Sequence, residues 1–133
     1  MRVTTRSEYA LLALLYLARH AGEEFVPLSR VAQAQAIPLK YLEQLALVLQ
    51  RAGYLASRKG QHGGYRLAKP AREIALAEVI RLLDGALAPT GSASKYFYRP
   101  TPIEREAKLL GLLKEIRDFV SRKLESRTLA DYL

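Results

Sequence analysis

Residues 58–67, RKGQHGGYRL, place the strongest limit on what this chain can fold into. Three glycines, three cationic side chains, a histidine and a tyrosine share ten positions. A glycine loop that cradles a nucleotide phosphate runs from a strand directly into a helix whose N-terminus faces the anion. Here the glycines lead into YRLAKP, which is strand-like and ended by a proline, and this argues against a phosphate loop. The flanking runs YLASRK and GYRLAK are joined by GQH, and Gly63 and Gly64 can take backbone angles that other residues resist. The stretch is therefore read as a β-hairpin.

Helical patterns precede it. Thr5 and Glu8 have the spacing of a capping box, and Tyr9 to Arg19 are apolar nearly all round, the mark of a centrally buried helix. AGEEFVPL breaks the pattern. A second helix is expected from Ser29, as N-cap, through RVAQAQA to Ile37-Pro38, which stops it and starts the next. In LKYLEQLALVLQRAG, Leu39, Leu42, Leu45, Leu49 and Ala52 share one face, and Gly53 has the C′ position. Lys40, Tyr41, Glu43 and Gln44 fall outside that stripe, near the helix start. Two helices joined by so short a turn suit a helix-turn-helix, and suit equally well an ordinary antiparallel pair with a solvated face. The hairpin tips the balance, because directly after a helix-turn-helix it is a wing. Arg58, Lys59 and His62 then lie where a phosphate backbone or a minor groove would be.

Charge agrees with a polyanion partner. The 133 residues carry a formal net charge of +8. Residues 1–72 hold 11 basic and 4 acidic side chains, against 10 and 9 in residues 73–133, so the excess sits with the proposed DNA-reading half. The chain has no cysteine, which excludes disulfides, thiol nucleophiles and thiolate-bound metal and points to the cytoplasm. The opening MRVTTRSEYALLALLYLARH is not read as a secretory signal, because Glu8 interrupts it and no small-residue cleavage site follows. ALLALLYLA is too short to span a bilayer, so no membrane association is expected.

Together these residues resemble the bacterial winged-helix regulators that include IscR, NsrR and CymR. The resemblance lies in MRVTTRSEYALLALLYLA, PLKYLEQL, AGYLASRKGQHGGYRLAKP, EVIRLLDGALAP and RTLADYL, and so covers nearly the whole chain. It implies a mostly α fold, a winged helix-turn-helix with a two-stranded wing and a long C-terminal dimerisation helix. It also implies a homodimer that binds a pseudo-palindromic operator on double-stranded DNA, usually as a repressor. Many relatives hold an iron–sulfur cluster with three cysteines after the fourth helix. Here that segment reads ALAPTGSASKYFYRPTP. Ser92 falls near the first cysteine position, and neither it nor Ser94 replaces a thiolate. Glu8 matches a position where some relatives offer a carboxylate, which cannot hold a cluster alone. No cofactor and no metal site are expected.

The DNA-facing set can be argued residue by residue. Lys40 and Tyr41 reach phosphate or base edges, Gln44 carries the amide that pairs with adenine, and Ser29 can donate to phosphate. Arg2 and Leu39 belong to the same set. Glu43 either accepts from a cytosine amine, filters against other sequences, pairs along its helix, or stays in water. Lys59 occupies a place where relatives commonly have an arginine in the minor groove, and as a point charge it should grip phosphate but read groove width less sharply. Gln61 and His62 replace the more usual Pro and Gly.

In the C-terminal half, TPIE at 101–104 is expected to open a helix with Thr101 as N-cap. Leu109, Leu113, Ile116, Val120 and Leu124 then form a stripe, widened by Leu110, Leu112 and Phe119, which a partner copy would cover. Packing within its own chain is the alternative. Tyr96, Phe97 and Tyr98 either line an effector pocket or plug the gap left by the missing cluster, and Ser/Gly composition at 91–94 allows local disorder. The division expected is a DNA-binding domain at 1–85, a loop at 86–100, and a dimerisation helix and tail at 101–133. The function expected is sequence-specific transcriptional regulation, alternatively regulation controlled by a partner protein or small effector near the 86–100 loop. An enzyme is disfavoured, since His20 and His62 share no motif with a nucleophile.

Overall fold

The computed structural model describes residues 1–133 as five helices and one hairpin: α1 (Thr5–Arg19), α2 (Leu28–Gln35), α3 (Leu39–Arg51), β1 (Leu55–Arg58), β2 (Gly64–Leu67), α4 (Leu76–Asp84) and α5 (Ala107–Glu125). This is a winged helix-turn-helix carrying a long last helix. Helix α1 is its axis. Ala10 and Leu14 are fully buried, and α1 packs against α2, α3, α4 and β2. None of the helices is long and apolar enough to cross a membrane.

Local signals placed most boundaries, and distant partners moved the rest. The capping box at Thr5 and Glu8 does not form. Thr4 is the N-cap, and its N–H (2.8 Å) and hydroxyl both donate to the carboxylate of Asp84 at the end of α4. One of the four free N–H groups at the α1 N-terminus is thus satisfied by an acceptor 80 residues away, which no spacing rule can detect. Ser29 is not an N-cap either. Helix α2 starts at Leu28 after Pro27, whose ring presets the backbone for the first turn, and Ser29 lies exposed within that turn. Ala36 in the left-handed region (φ 55°) and buried Ile37, whose N–H donates to Ala32 O at 2.9 Å, complete the short turn into α3.

On α3, Leu42, Leu45, Ala46 and Leu49 are buried. Leu39 and Ala52, the two ends of the expected stripe, are exposed, because both helix ends overhang the core. Gly53 closes α3 with φ +90°, donating to Gln50 O (3.0 Å) while Tyr54 donates to Leu49 O (2.9 Å), the paired bonds of a Schellman motif. The wing follows at once. Its register pairs Leu55 with Leu67 and Arg58 with Gly64, and Gln50 Nε2 donates to Ser57 Oγ at 2.9 Å, tying the wing to α3. Tyr54 is buried and donates to Glu78 on α4 at 3.0 Å. Burial, with that bond, pushes its hydroxyl up to about 12, so it stays a donor.

The wing has a third member that sequence reading missed. Val26 and Tyr65 exchange two backbone bonds of 2.9 Å. Gly64 permits this: a Cβ there would lie 2.2 Å from Val26 O, and its φ is +150°. We predict that Gly64→Val adds about 1–3 kcal/mol of strain, lowers the melting temperature by about 5 °C or more, and weakens DNA binding by splaying the wing. An unchanged melting temperature would refute this close approach.

After α4 the chain departs further from expectation. TPIE opens a 3-10 turn at Pro102–Arg105, and α5 begins only at Ala107. The Thr101 hydroxyl is engaged by Ser92 Oγ at 2.8 Å and caps nothing. Residues Gly91–Ala93 form a 3-10 turn with Ser92 and Ser94 buried. Tyr96, Phe97 and Tyr98 are all exposed and plug no interior gap. Beyond α5 the chain returns to the core. Leu129 is fully buried and donates its N–H to Ile74 O (3.0 Å), while Thr128 and Asp131 form the capping box that Thr5 and Glu8 do not.

Candidate nucleic-acid interface

Helix α3 presents its buried leucines to α1 and α2 and leaves its first two turns facing outward. Lys40, Glu43 and Gln44 are exposed there, and none has a hydrogen-bond or ion-pair partner among the side chains of the chain. Glu43 therefore makes no helix salt bridge. Tyr41 is half-buried with its ring edge-on to Tyr9, centroids 5.5 Å apart, so only its rim is available. Exposed Arg2 precedes α1, and exposed Ser29 lies in the first turn of α2.

Arg6 was missed by sequence reading. It lines one cleft of about 220 Å³ with Tyr41, Gln44, Leu45 and Val48, so a cation from α1 stands beside the amide of α3. A cation two residues into an apolar helix is the only local signal for it. Arg6 also acts on Asp84. Burial pushes that carboxyl up, yet the Ser7 and Thr4 hydroxyls, the Thr4 N–H and the Arg6 charge outweigh burial and hold it below the ordinary carboxylate value. Ser7 Oγ is buried and makes no hydrogen bond of regular geometry, so the Thr4 bonds are the ones that fix this carboxylate in place.

At the wing, Lys59, Gln61 and His62 occupy the exposed tip. Arg58 is placed differently. Its guanidinium donates to Glu24 at 2.7 Å and to His62 O at 3.0 Å and lies 4.5 Å from the Phe25 ring, which Arg66 covers at 4.6 Å. Arg58 is thus partly committed to bracing the wing, whereas Lys59 is free to meet an anion.

The intended dimer stripe divides in two. Leu109 and Ile116 are exposed, together with Leu112 and Phe119, while Leu113, Val120 and Leu124 are half-buried. Leu124 packs on Ala77, Ile80 and Leu87 of its own chain, and Arg81 pairs with Glu125 at 2.6 Å. The open face of α5 is the line through 109, 112, 116 and 119.

The donor set does not suit iron. Ser92 sits near the position of the first cysteine in cluster-bearing relatives, and its Oγ accepts the Thr101 N–H at 2.8 Å and donates to Arg99 O at 3.3 Å. Nowhere do three His, Cys, Asp or Glu side chains gather at metal-binding distance. A hydroxyl committed to backbone groups is a structural staple and a poor ligand for iron.

Comparison with known proteins follows this geometry. The Rrf2 family, described as an iron-dependent transcriptional regulator, matches residues 3–133. Among relatives, the chain is 45% identical over 89 residues to protein rrf2 of Nitratidesulfovibrio vulgaris, covering 67% of this chain and 59% of that one. It is 42% identical over 90 residues to the HTH-type transcriptional regulator IscR of Photobacterium profundum, covering 68% and 52%. The matched region thus spans little more than half the length of these relatives. Among solved structures, CymR, the global cysteine regulator of B. subtilis, is 32% identical with a TM-score of 0.78, covering 99% of this chain and 95% of that one. The IscR of T. potens is 33% identical with a TM-score of 0.70, covering 99% and 85%.

Proposed function

Because this chain belongs to the Rrf2 family of transcriptional regulators, which bind DNA and are not enzymes, we propose that it is a homodimeric repressor. In this reading it binds a pseudo-palindromic operator in the cytoplasm. The observation that carries the reading is that α3 and the wing tip offer Lys40, Glu43, Gln44, Lys59, Gln61 and His62 outward with no side-chain partner of their own. Polar side chains left free on one recognition helix and one wing suit a groove and its flanking phosphates. Residues 1–85 read DNA, and α5 pairs the copies so that two recognition helices meet one face of the duplex.

Two classes of substitution separate the roles. Lys59→Ala should weaken binding to every sequence alike and lower the slope of log K against log salt by about one. Arg58→Ala should do the same and also loosen the wing, since Arg58 braces Glu24 and Phe25. Gln44→Ala should instead relax preference at one base position, by about 1–3 kcal/mol, with the salt slope nearly unchanged. Titrations of operator and scrambled duplex at several salt concentrations read both effects, and identical behaviour of Lys59→Ala and Gln44→Ala would refute the assignment.

Family membership does not bring iron sensing with it here. Aerobic, anaerobic iron-loaded and chelator-treated protein should bind one operator with equal affinity. A shift above about tenfold, or 1.4 kcal/mol, between them would reveal a metal site of another kind.

A further inference from the structure

Between the end of α4 and the 86–100 loop lies a cavity of about 420 Å³, bounded by Asp84, Ala86, Gly91, Phe97, Arg99 and Thr101 among others. We infer that it is a binding site for a small zwitterion of the α-amino acid class, Arg99 taking its carboxylate and Asp84 its ammonium.

The frame of the cavity is built in advance. Gly91 O accepts the Arg99 N–H at 3.0 Å, and a Cβ on Gly91 would come within 2.9 Å of Arg99 Cβ, so only glycine lets these two backbones meet. Ser92 ties the same loop to Arg99 and Thr101. The volume falls within the range of small-molecule sites.

Its two charges are of opposite sign. Arg99 is exposed, and no hydrogen bond or ion pair joins its guanidinium to Asp84 or to any other group of the chain, although both residues bound the one cavity. Asp84 accepts two bonds from Thr4 and lies within the field of Arg6, and its ionised carboxylate retains lone pairs for a further donor. A simple anion would be drawn to Arg99 and repelled by Asp84, and a simple cation the reverse. A molecule carrying both charges satisfies both, with the guanidinium fork matched to a carboxylate. Phe97 supplies an apolar wall for the side chain.

The site also has a route to DNA, a consequence that rests on the function proposed above. Asp84 holds Thr4 and so the start of α1, from which Arg2 and Arg6 project. An ammonium at Asp84 changes the anchor of that segment, and operator affinity and ligand affinity then shift each other by one common factor.

The test is calorimetric titration of the full chain with the free proteinogenic α-amino acids one by one, each beside its amide and its N-acetyl derivative. At least one free amino acid should bind below about 10 mM, and removal of either charge should weaken it by about tenfold or more. Arg99→Gln should abolish that binding, and Arg99→Lys should weaken it, while both keep wild-type operator affinity without ligand. The proposal is overturned if no amino acid binds, if the capped forms bind equally well, or if Arg99→Gln binds as wild type. Amino-acid binding by a protein that recognises no duplex would overturn the DNA reading and leave this site standing.

Discussion

Ile116→Asp is expected to yield a folded monomer whose operator affinity is lower by about a hundredfold or more. Ile116 is 41% exposed in the isolated chain, on a line with Leu109 (45%), Leu112 (51%) and Phe119 (66%). In the monomer an aspartate at that position stays in water and costs little. Between two copies it would be a desolvated, unpaired charge, which costs several kcal/mol. Folding and assembly therefore separate in this variant. Loss of the dimer leaves one recognition helix per molecule, so each copy must bind its half-site unaided. Sedimentation should show the monomer mass and circular dichroism an unchanged helix content. A dimer that survives Ile116→Asp would move the interface off α5. Leu124→Ala provides the contrast, because Leu124 packs on Ala77, Ile80 and Leu87 of its own chain and should affect stability before assembly.

What the sequence made legible was whatever depends on neighbours along the chain. Gly53 ends α3 through its own φ and its bond to Gln50 three positions back, with Tyr54 donating to Leu49 five positions back. The glycines and proline around 58–70 define the hairpin by the same local logic, and the period of α3 separates buried leucines from the outward Lys40, Glu43 and Gln44. The misses share the opposite property. Thr4 is satisfied by Asp84, Tyr65 by Val26, and Thr101 by Ser92, each a partner supplied by tertiary packing. The α5 residues 109, 113, 116, 120 and 124 form a stripe in sequence because all five are apolar at helical spacing. Periodicity finds an apolar arc without saying which edge α4 occupies, and α4 takes the side of Leu124. Arg6 was passed over for a related reason: its value lies in a cleft shared with Tyr41 and Gln44, more than thirty positions on.

Leu129→Ala should be the most damaging single truncation beyond α4. Leu129 is 0% exposed and belongs to the same buried cluster as Leu14, Leu42, Leu49 and Ile74. Its backbone N–H donates to Ile74 O, and Leu76 N–H donates to Arg127 O, both at 3.0 Å. The segment after α5 thus closes the core built by α1, α2 and α3, although in sequence it follows α5. Removing a buried leucine side chain costs about 2–5 kcal/mol, a large share of the roughly 5–15 kcal/mol that holds such a domain together. Urea unfolding should show a lower midpoint with an unchanged slope. Operator affinity should fall in proportion to the unfolded fraction, and low temperature should restore it. That behaviour is the reverse of Ile116→Asp, which lowers affinity at every temperature without loosening the fold. If the segment at 127–133 were only an appendage of α5, Leu129→Ala would lower the unfolding free energy by less than about 0.5 kcal/mol, and the core would have to be redrawn to end at α4.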